Sequence, residues 1–193
     1  QLGTPGSIAA VRDPASGALL VGFTIGFNST AGLAVCPNWA GPCTARRVSE
    51  NAGQPNSSGH TPWPAFDLAN GKLLLAVANG VTDDRLGLYR CLADGTGCSY
   101  VDIAAGGPAA SGLSPSPVVD PANQKLLVAT TNGFLGNRLG LVRCALDGTS
   151  CRYLDASAGL PAESGVRPTA LLDAAWRDLE RGARGLGEVV LPA

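Results

Sequence analysis

The chain has 193 residues, a formal net charge of −1 and only 15% charged residues, and it contains 26 glycines and 14 prolines. The nearly neutral charge excludes the basic surface that nucleic-acid binding requires, and the sequence has no run of about 18 apolar residues for a transmembrane helix. The glycine and proline content favours a turn-rich β protein over a helical one.

The chain begins with the loosest copy of an internal repeat, predicted over residues 1–55. Asp13-Pro-Ala-Ser-Gly-Ala-Leu-Leu-Val21 reads as a turn followed by an apolar strand, because aspartate and proline are typical turn residues. Gly32–Cys36 leads to the first of two cysteines, Cys36 and Cys43. The loop between them centres on Trp39-Ala40, which does not suit a tight turn, so we expect it to be irregular.

The next two copies, predicted over 56–107 and 108–165, match each other position by position. Asp67, Asn79, Arg85 and Cys98 recur 53 residues later as Asp120, Asn132, Arg138 and Cys151. A repeat of this length indicates a solenoid, a propeller or another array.

Each complete copy predicts four short strands. The third copy illustrates them, with turns at Asp120-Pro-Ala-Asn123, Asn132-Gly133 and Asp147-Gly148. Its predicted strands are Pro117–Val119, Lys125–Thr131, Leu139–Leu146 and Cys151–Leu154. Four strands per copy are the usual content of a propeller blade. The sequence therefore predicts an all-β, β-propeller-like array of four-stranded antiparallel blades, with about three blades and a partial fourth in the chain.

Each copy carries two cysteines with the same separation. A turn at Asp147-Gly148 places Cys144 opposite Cys151 and Leu146 opposite Thr149, and the same register places Cys91 opposite Cys98, close enough for a disulfide. A strict two-residue turn gives this cysteine pair the wider Cα spacing of a hydrogen-bonded pair, whereas a bulge at the glycine changes it. We predict the disulfides Cys36–Cys43, Cys91–Cys98 and Cys144–Cys151.

Three regular cysteine pairs indicate an oxidising compartment and hence a secreted, extracellular or cell-surface protein. A metal site is the alternative, but this spacing without partnering histidines is a poor zinc ligand set. The start at Gln1 and the absence of methionine favour a processed mature chain. Asn28 and Asn56 begin N-glycosylation sequons on predicted loops.

Two short motifs resemble known propeller blades. Val118–Val128 is similar to the strand-turn-strand opening of blades in NHL-type and related secreted propellers. The Asp-Gly-Thr turn followed by Tyr100 or Tyr153 is similar to the Asp-box hairpin of sialidase-like propellers. The resemblance implies a secreted β-propeller repeat protein and indicates no specific family.

The last segment, 166–193, is predicted to be a partial fourth repeat or a divergent tail. Arg167–Asp173 matches the start of a copy, and the periodicity then suits a helix over Asp173–Arg184 and a strand over Gly187–Leu191. Three blades are too few for a ring. We therefore expect self-association through ring closure or an open array, unless the chain is a fragment of a longer protein.

Four residues are candidates for ligand binding. Arg85 and Arg138 recur at one blade position and would hold carboxylates or sugars through forked hydrogen bonds, unless they form structural ion pairs. Tyr100 and Tyr153 follow the second cysteine of their copies and would either pack between blades or stack on a sugar.

No catalytic residue, metal site or cofactor site is predicted. His60 is the single histidine and no nucleophile elbow accompanies it. Asp83 and Asp84 are expected to be solvated turn residues. The sequence therefore predicts that the chain is not an enzyme but an extracellular structural or binding protein that assembles with itself or binds an extracellular protein or glycan. The alternatives are an oligomeric carbohydrate-binding lectin and a fragment of a secreted propeller hydrolase.

Overall fold

A computed structural model describes residues 8–26, 28–37, 41–104 and 106–171. These residues form three four-stranded antiparallel sheets, and within each sheet the strands follow one another in chain order. The predicted all-β, propeller-like array is confirmed at the level of its sheets, and no closed ring is formed by the described residues.

The three sheets are called blades 1, 2 and 3. Blade 1 consists of β1 Ala9–Arg12, β2 Leu19–Ile25, β3 Thr30–Cys36 and β4 Thr44–Arg47; blade 2 of β5 His60–Asp67, β6 Lys72–Asn79, β7 Arg85–Leu92 and β8 Ser99–Asp102; blade 3 of β9 Leu113–Asp120, β10 Lys125–Asn132, β11 Arg138–Ala145 and β12 Arg152–Asp155. One helical turn that the sequence did not predict, α1 Val48–Asn51, follows β4, and a short 3₁₀ turn, Gly80–Thr82, follows β6.

Blade 2 is the middle sheet and is covered on both faces, which explains why β6 reads as an almost unbroken apolar run. Its two faces belong to different cores because successive side chains on a strand point to opposite sides. The leading face, which packs against blade 1, carries Leu73, Leu75, Val77, Tyr89 and Cys91. The trailing face, which packs against blade 3, carries Leu74, Ala76, Leu86 and Leu88.

The linker between two blades is attached to the preceding blade by backbone hydrogen bonds. Before blade 3, the Ala110 amide donates to the Asp83 carbonyl at 2.6 Å and the Gly112 amide donates to the Asp84 carbonyl at 3.0 Å. Before blade 2, Ser57 and Gly59 bond in the same way to the residues preceding β3. Each pair fixes where the next blade begins.

A glycine is required in each linker because the backbone of the preceding blade lies against it. A Cβ atom on Gly59, Gly112 or Gly165 would lie 2.1, 2.4 or 2.0 Å from a main-chain nitrogen at the start of the neighbouring third strand. Main-chain atoms at that distance cannot move aside as a flexible side chain would. The Ser-Gly dipeptides at these positions are therefore a steric signature of blade-to-blade docking.

The Asp-Gly turns also form contacts between blades. Gly95 and Gly148 have φ of 77° and 82°, the left-handed region that favours glycine. A Cβ on Gly148 would lie 2.4 Å from the Val101 side chain of blade 2, and one on Gly95 would lie 2.8 Å from Leu33 of blade 1. The outer hairpin of each of these blades thus presses on the blade before it.

The hairpin of blade 3 contains a three-residue loop rather than the predicted two-residue turn. The Ala145 amide donates to the Thr149 carbonyl and the Gly148 amide donates to the Ala145 carbonyl, both at 2.9 Å. Ala145, not Leu146, therefore faces Thr149, as in a type I turn with a glycine bulge. The predicted Leu146–Thr149 register is wrong in this detail.

The three predicted disulfides are confirmed. In blades 2 and 3 the strand pairs Arg90–Ser99 and Arg143–Arg152, next to the cysteines, set each cysteine opposite its partner. Cys36–Cys43, Cys91–Cys98 and Cys144–Cys151 are bonded, each with a Cα separation of 4.1 Å. That separation is close to the spacing of about 4.5 Å found in non-hydrogen-bonded pairs. The loop between Cys36 and Cys43 includes residues 38–40, so the irregular turn predicted there lies outside the described residues.

A buried polar cluster joins blades 1 and 2. The Tyr89 hydroxyl, fully buried, lies within hydrogen-bonding distance of Ser49 Oγ at 3.0 Å and the Ser58 carbonyl at 2.8 Å. Ser49, on α1, accepts a hydrogen bond from the Ala31 amide at 2.8 Å. The helical turn therefore supplies a hydrogen-bonding partner to the third strand of blade 1 and to the central tyrosine of blade 2.

The fourth repeat begins as the others do. The Glu163 and Gly165 amides donate to the Gly136 and Asn137 carbonyls at 2.7 and 2.9 Å, and the Ala170 amide donates to Ser116 Oγ on β9 at 2.9 Å. Residues 166–171 belong to none of the three sheets. The predicted helix over 173–184 and strand over 187–191 lie outside the described residues. No helix among the described residues is long and apolar enough to cross a membrane.

Replacing Gly112 with alanine tests the docking of the linker. We expect Gly112→Ala to lower the free energy of unfolding by about 3 kcal/mol, since the new Cβ overpacks rigid backbone. The matched control is Gly71→Ala, where φ is 60° but no atom lies within 4 Å of the new Cβ. The control carries only left-handed strain of about 1 kcal/mol. Urea unfolding measures the free energy of unfolding of both variants. Equal losses of this free energy would show that the close approach of the linker is not a constraint.

Candidate functional site

The two candidate tyrosines make the same structural contacts in blades 2 and 3. Tyr100 accepts a hydrogen bond from Asn79 Nδ2 at 2.5 Å, and Tyr153 accepts one from Asn132 Nδ2 at 2.5 Å. Each ring lies over the glycine of the Leu-Gly-Leu motif on the adjacent strand, where a Cβ would meet ring atoms. The tyrosine ring thus covers the main chain at a glycine, where there is no side chain to do so.

The two candidate arginines stand at equivalent positions, at the first residues of β7 and β11. Arg138 lies 3.8 Å from the Asp155 carboxylate on the edge strand of its own blade. The Nε atoms of Arg85 and Arg138 are buried and have no hydrogen-bond partner within the described part of the chain. The structure does not gather the four candidate residues at one pocket; it distributes them as one pair per blade.

The remaining polar residues singled out in the sequence lie at blade ends. Asp83 and Asp84 adopt left-handed φ of 55° and 54°, and their carbonyls accept the linker amides. His60 is the first residue of β5. Asn28 and Asn56, the sequon asparagines, are both exposed, and they lie near each other because the Ser57 amide donates to the Asn28 carbonyl at 2.5 Å. Glycosylation of either stays a prediction.

A polar cleft of about 400 Å³ opens between blades 2 and 3. Three turns and three strands contribute to it: the β5–β6, β9–β10 and β11–β12 turns, together with β7, the start of β10 and the end of β11. Its walls carry side-chain amides, two cations and one carboxylate. The polar lining residues are Asn70, Arg90, Asn123, Gln124, Lys125 and Asp147.

The cleft carries an excess of positive charge. Asp147 accepts hydrogen bonds from the Thr149 hydroxyl at 2.6 Å and from the Thr149 amide at 2.9 Å. These bonds, with the neighbouring Arg90 charge, hold the pKa of Asp147 below its usual value, so its carboxylate is ionised at neutral pH. Two cations, Arg90 and Lys125, therefore face one carboxylate within the cleft.

The cleft combines the groups that hold an acidic, hydroxyl-rich ligand. Guanidinium and ammonium groups bind carboxylates, and side-chain amides both donate to and accept from hydroxyl groups. Its size falls in the range of about 300–1,000 Å³ typical of ligand sites. No group of three histidine, cysteine, aspartate or glutamate side chains suited to a metal occurs among the described residues.

The sequence contains a signal for this cleft in its repeated cations. Arg90 and Arg143 recur just before the first cysteine of their copies, and Lys72 and Lys125 are the only lysines in the chain. Of these four residues, only Arg90 and Lys125 line the cleft. Which repeated residues meet in a cleft depends on how the blades stack, and the repeat alone does not specify that.

Comparison with known proteins identifies the fold but no family. No protein-family model and no curated protein sequence matches the chain. Among solved structures, the chain is similar to the catalytic domain of a GH62 α-L-arabinofuranosidase from Coprinopsis cinerea, with a TM-score of 0.55 and 9% sequence identity. The match covers 80% of this chain and 50% of that chain, so this chain spans about half the length of its structural neighbour.

This similarity corrects the prediction that the chain is not an enzyme. That prediction rested on the lack of a nucleophile paired with a base and of a metal site in the sequence, yet a solved structure of similar fold is the catalytic domain of a glycoside hydrolase. At 9% identity the similarity shows the fold alone. The three disulfides agree with an extracellular protein, because such bonds persist in oxidising compartments.

Alkaline titration tests the tyrosine environments. Burial is the main cause that raises the pKa of all three tyrosines, and it raises the pKa of Tyr100 to about 12. An unfolded chain ionises near its ordinary value of about 10, so the tyrosines' contribution to stability is complete below that pH and is lost as the pH rises toward 12.

We therefore expect the absorbance of tyrosinate at 295 nm to rise only above pH 10 in the folded protein, together with a fall in the free energy of unfolding. The control is the same titration in denaturant, which gives the ordinary midpoint. A folded protein whose tyrosines titrate at the midpoint of the denatured chain would contradict the described contacts.

Proposed function

We propose that the chain is an extracellular carbohydrate-binding protein of propeller-like architecture that holds an acidic sugar in the polar cleft between blades 2 and 3. The single observation that carries the proposal is the pairing of Arg90 and Lys125 with the amides of Asn70, Asn123 and Gln124 around one cleft. The two cations bind the sugar carboxylate, and the side-chain amides form hydrogen bonds with the ring hydroxyls.

Two observations support this proposal. The cleft is open and polar, which suits a solvated sugar better than an apolar ligand. The solved neighbour of similar fold is the catalytic domain of an α-L-arabinofuranosidase. Fold similarity by itself does not transfer a ligand, so the cleft residues carry the proposal.

Binding of uronic-acid oligosaccharides tests it directly. We expect the protein to bind an oligogalacturonate and to bind a neutral oligosaccharide of equal length at least tenfold more weakly. Arg90→Ala and Lys125→Ala should each weaken oligogalacturonate binding about tenfold, in line with about 1.5–3 kcal/mol for a hydrogen bond to a charged group. Isothermal titration calorimetry measures all of these affinities.

The repeat provides matched controls. Arg143 and Lys72 occupy the same repeat positions in blades 3 and 2, but they do not line this cleft. Arg143→Ala and Lys72→Ala remove the same charges and should leave the affinity within a factor of two. Equal losses from both pairs of variants, or equal binding of charged and neutral sugars, would overturn the proposal.

A second candidate function is favoured by the extent of the structural match: this chain is part of a larger carbohydrate-active propeller enzyme. The neighbouring catalytic domain is matched over only half its length, so further blades from additional polypeptide would complete such a site. We expect native material to release p-nitrophenol from p-nitrophenyl α-L-arabinofuranoside and to contain a polypeptide longer than 193 residues. Native material with the intact mass of this chain alone, and with no such activity, would exclude this candidate.

A further inference from the structure

Three asparagines of the chain are followed by glycine, and such an asparagine is the one most open to attack by the next main-chain nitrogen. The three pairs are Asn70-Gly71, Asn79-Gly80 and Asn132-Gly133. Because glycine has no Cβ, its nitrogen approaches the asparagine side chain without steric hindrance. The three pairs share this chemistry, and they differ in how the fold surrounds them.

The fold protects two of these pairs. Asn79 and Asn132 are at most 2% exposed. Each of their side chains is bonded at both ends, since Nδ2 donates to a tyrosine hydroxyl and Oδ1 accepts a main-chain amide. The amides of Gly80 and Gly133 donate to carbonyls of the linkers at 2.7 and 2.9 Å. In these pairs the glycine nitrogen and the side-chain carbon meet only after local unfolding.

The third pair lies in the β5–β6 turn and is not protected. Asn70 and Gly71 are both exposed, and the Gly71 amide has no hydrogen-bond acceptor among the described residues. A Cβ on Gly71 would have no atom within 4 Å. The Asn70 side chain donates from Nδ2 to Asp67 Oδ2 at 2.8 Å, a bond at the surface of the turn. The glycine nitrogen and the asparagine side chain can therefore meet in the folded protein.

The repeat contains a matched turn in which only the glycine is missing. Asn123 holds the position of Asn70 in blade 3, is also exposed, and makes the same side-chain bond to the first aspartate of its turn, at 2.7 Å. The next residue is Gln124, whose φ of 51° is close to the 60° of Gly71. The two turns thus share a hydrogen bond and a left-handed residue, and they differ in the side chain beside the asparagine.

We propose that Asn70 is a site of spontaneous modification in the folded protein. The Gly71 main-chain nitrogen attacks Asn70 Cγ and loses its proton, a new C–N bond forms, and the side-chain nitrogen leaves as ammonia. Water then opens the resulting succinimide ring at one of its two carbonyls, which leaves aspartate or isoaspartate at position 70. Water enters and ammonia leaves, and nothing is oxidised or reduced.

The modification adds a carboxylate to the wall of the polar cleft. Asn70 lines the cleft together with Arg90, Lys125 and Asp147, and the new carboxylate is ionised at neutral pH. Two cations then face two carboxylates, so the excess of positive charge is lost. An acidic sugar would bind the modified protein more weakly, and this consequence alone rests on the proposed function. The modification itself requires no ligand, so its test is independent of sugar binding.

Peptide mapping by mass spectrometry tests the proposal on the full chain, incubated at mildly alkaline pH so that the attacking nitrogen loses its proton more readily. We expect Asn70 to lose its amide at least about tenfold faster than Asn79 or Asn132, a difference of about 1.4 kcal/mol in activation free energy. Gly71→Ala should slow the reaction because its methyl group hinders the attack. Asn70→Gln keeps the amide but places it one methylene farther away, and it should abolish the reaction.

The matched turn and the denatured chain provide the controls. Gln124→Gly gives Asn123 the neighbour that Asn70 has, so Asn123 should then react at a similar rate, whereas in the wild-type protein it should keep its amide over the same time. In denaturant all three asparagine–glycine pairs should react alike, because the fold that distinguishes them is lost. Equal rates at the three pairs in the folded protein would overturn the proposal. So would an Asn70 that reacts only in denaturant, or an Asn123 that stays unreactive in Gln124→Gly.

Discussion

The close approach of each linker glycine to the third strand of the preceding blade is the constraint on which the rest of the structure depends. Gly59, Gly112 and Gly165 lie so near main-chain nitrogen that any side chain would displace the strand. The amides around them bond to carbonyls of the preceding blade, and each such bond contributes about 1 kcal/mol. This docking converts a repeat in sequence into sheets of fixed order and spacing.

The blades stacked in this way supply the cores and the cleft together. Leu74 and Ala76 meet Leu126 and Val128 because the linker sets blade 3 face to face with blade 2. The same placement brings the β5–β6 turn of one blade near the β9–β10 and β11–β12 turns of the next. The disulfides act locally on the outer hairpins, since each closes a loop with a sequence separation of 7. Stacking, rather than cross-linking, therefore positions the polar cleft.

The sequence predicts the strands, turns and disulfide of each repeat well, but it predicts poorly how successive blades pack on each other. The turn dipeptides and the segments rich in leucine, valine and threonine predict β10, β11 and the Cys144–Cys151 pair, because short-range hydrogen bonding decides these features. The linkers are different: Ala110 and Glu163 have left-handed φ of 54° and 66°, which their residue types do not suggest. The cleft was missed for the same reason, since Arg90 meets Lys125 only once the blades are stacked. The prediction that the chain is not an enzyme was wrong because it was drawn from motifs that the sequence lacks, whereas a domain of similar fold is catalytic and a fold does not determine a function.

Hydrogen exchange of the linker amides tests this account most directly. Stacking through the linkers predicts that the amides of Ser57, Gly59, Ala110 and Gly112 are protected to the same degree as those of the central strands β6 and β10, because they bond to carbonyls of the preceding blade. Protected strands combined with linker amides that exchange as fast as those of an unfolded chain would contradict it, since the blades would then be joined by free loops.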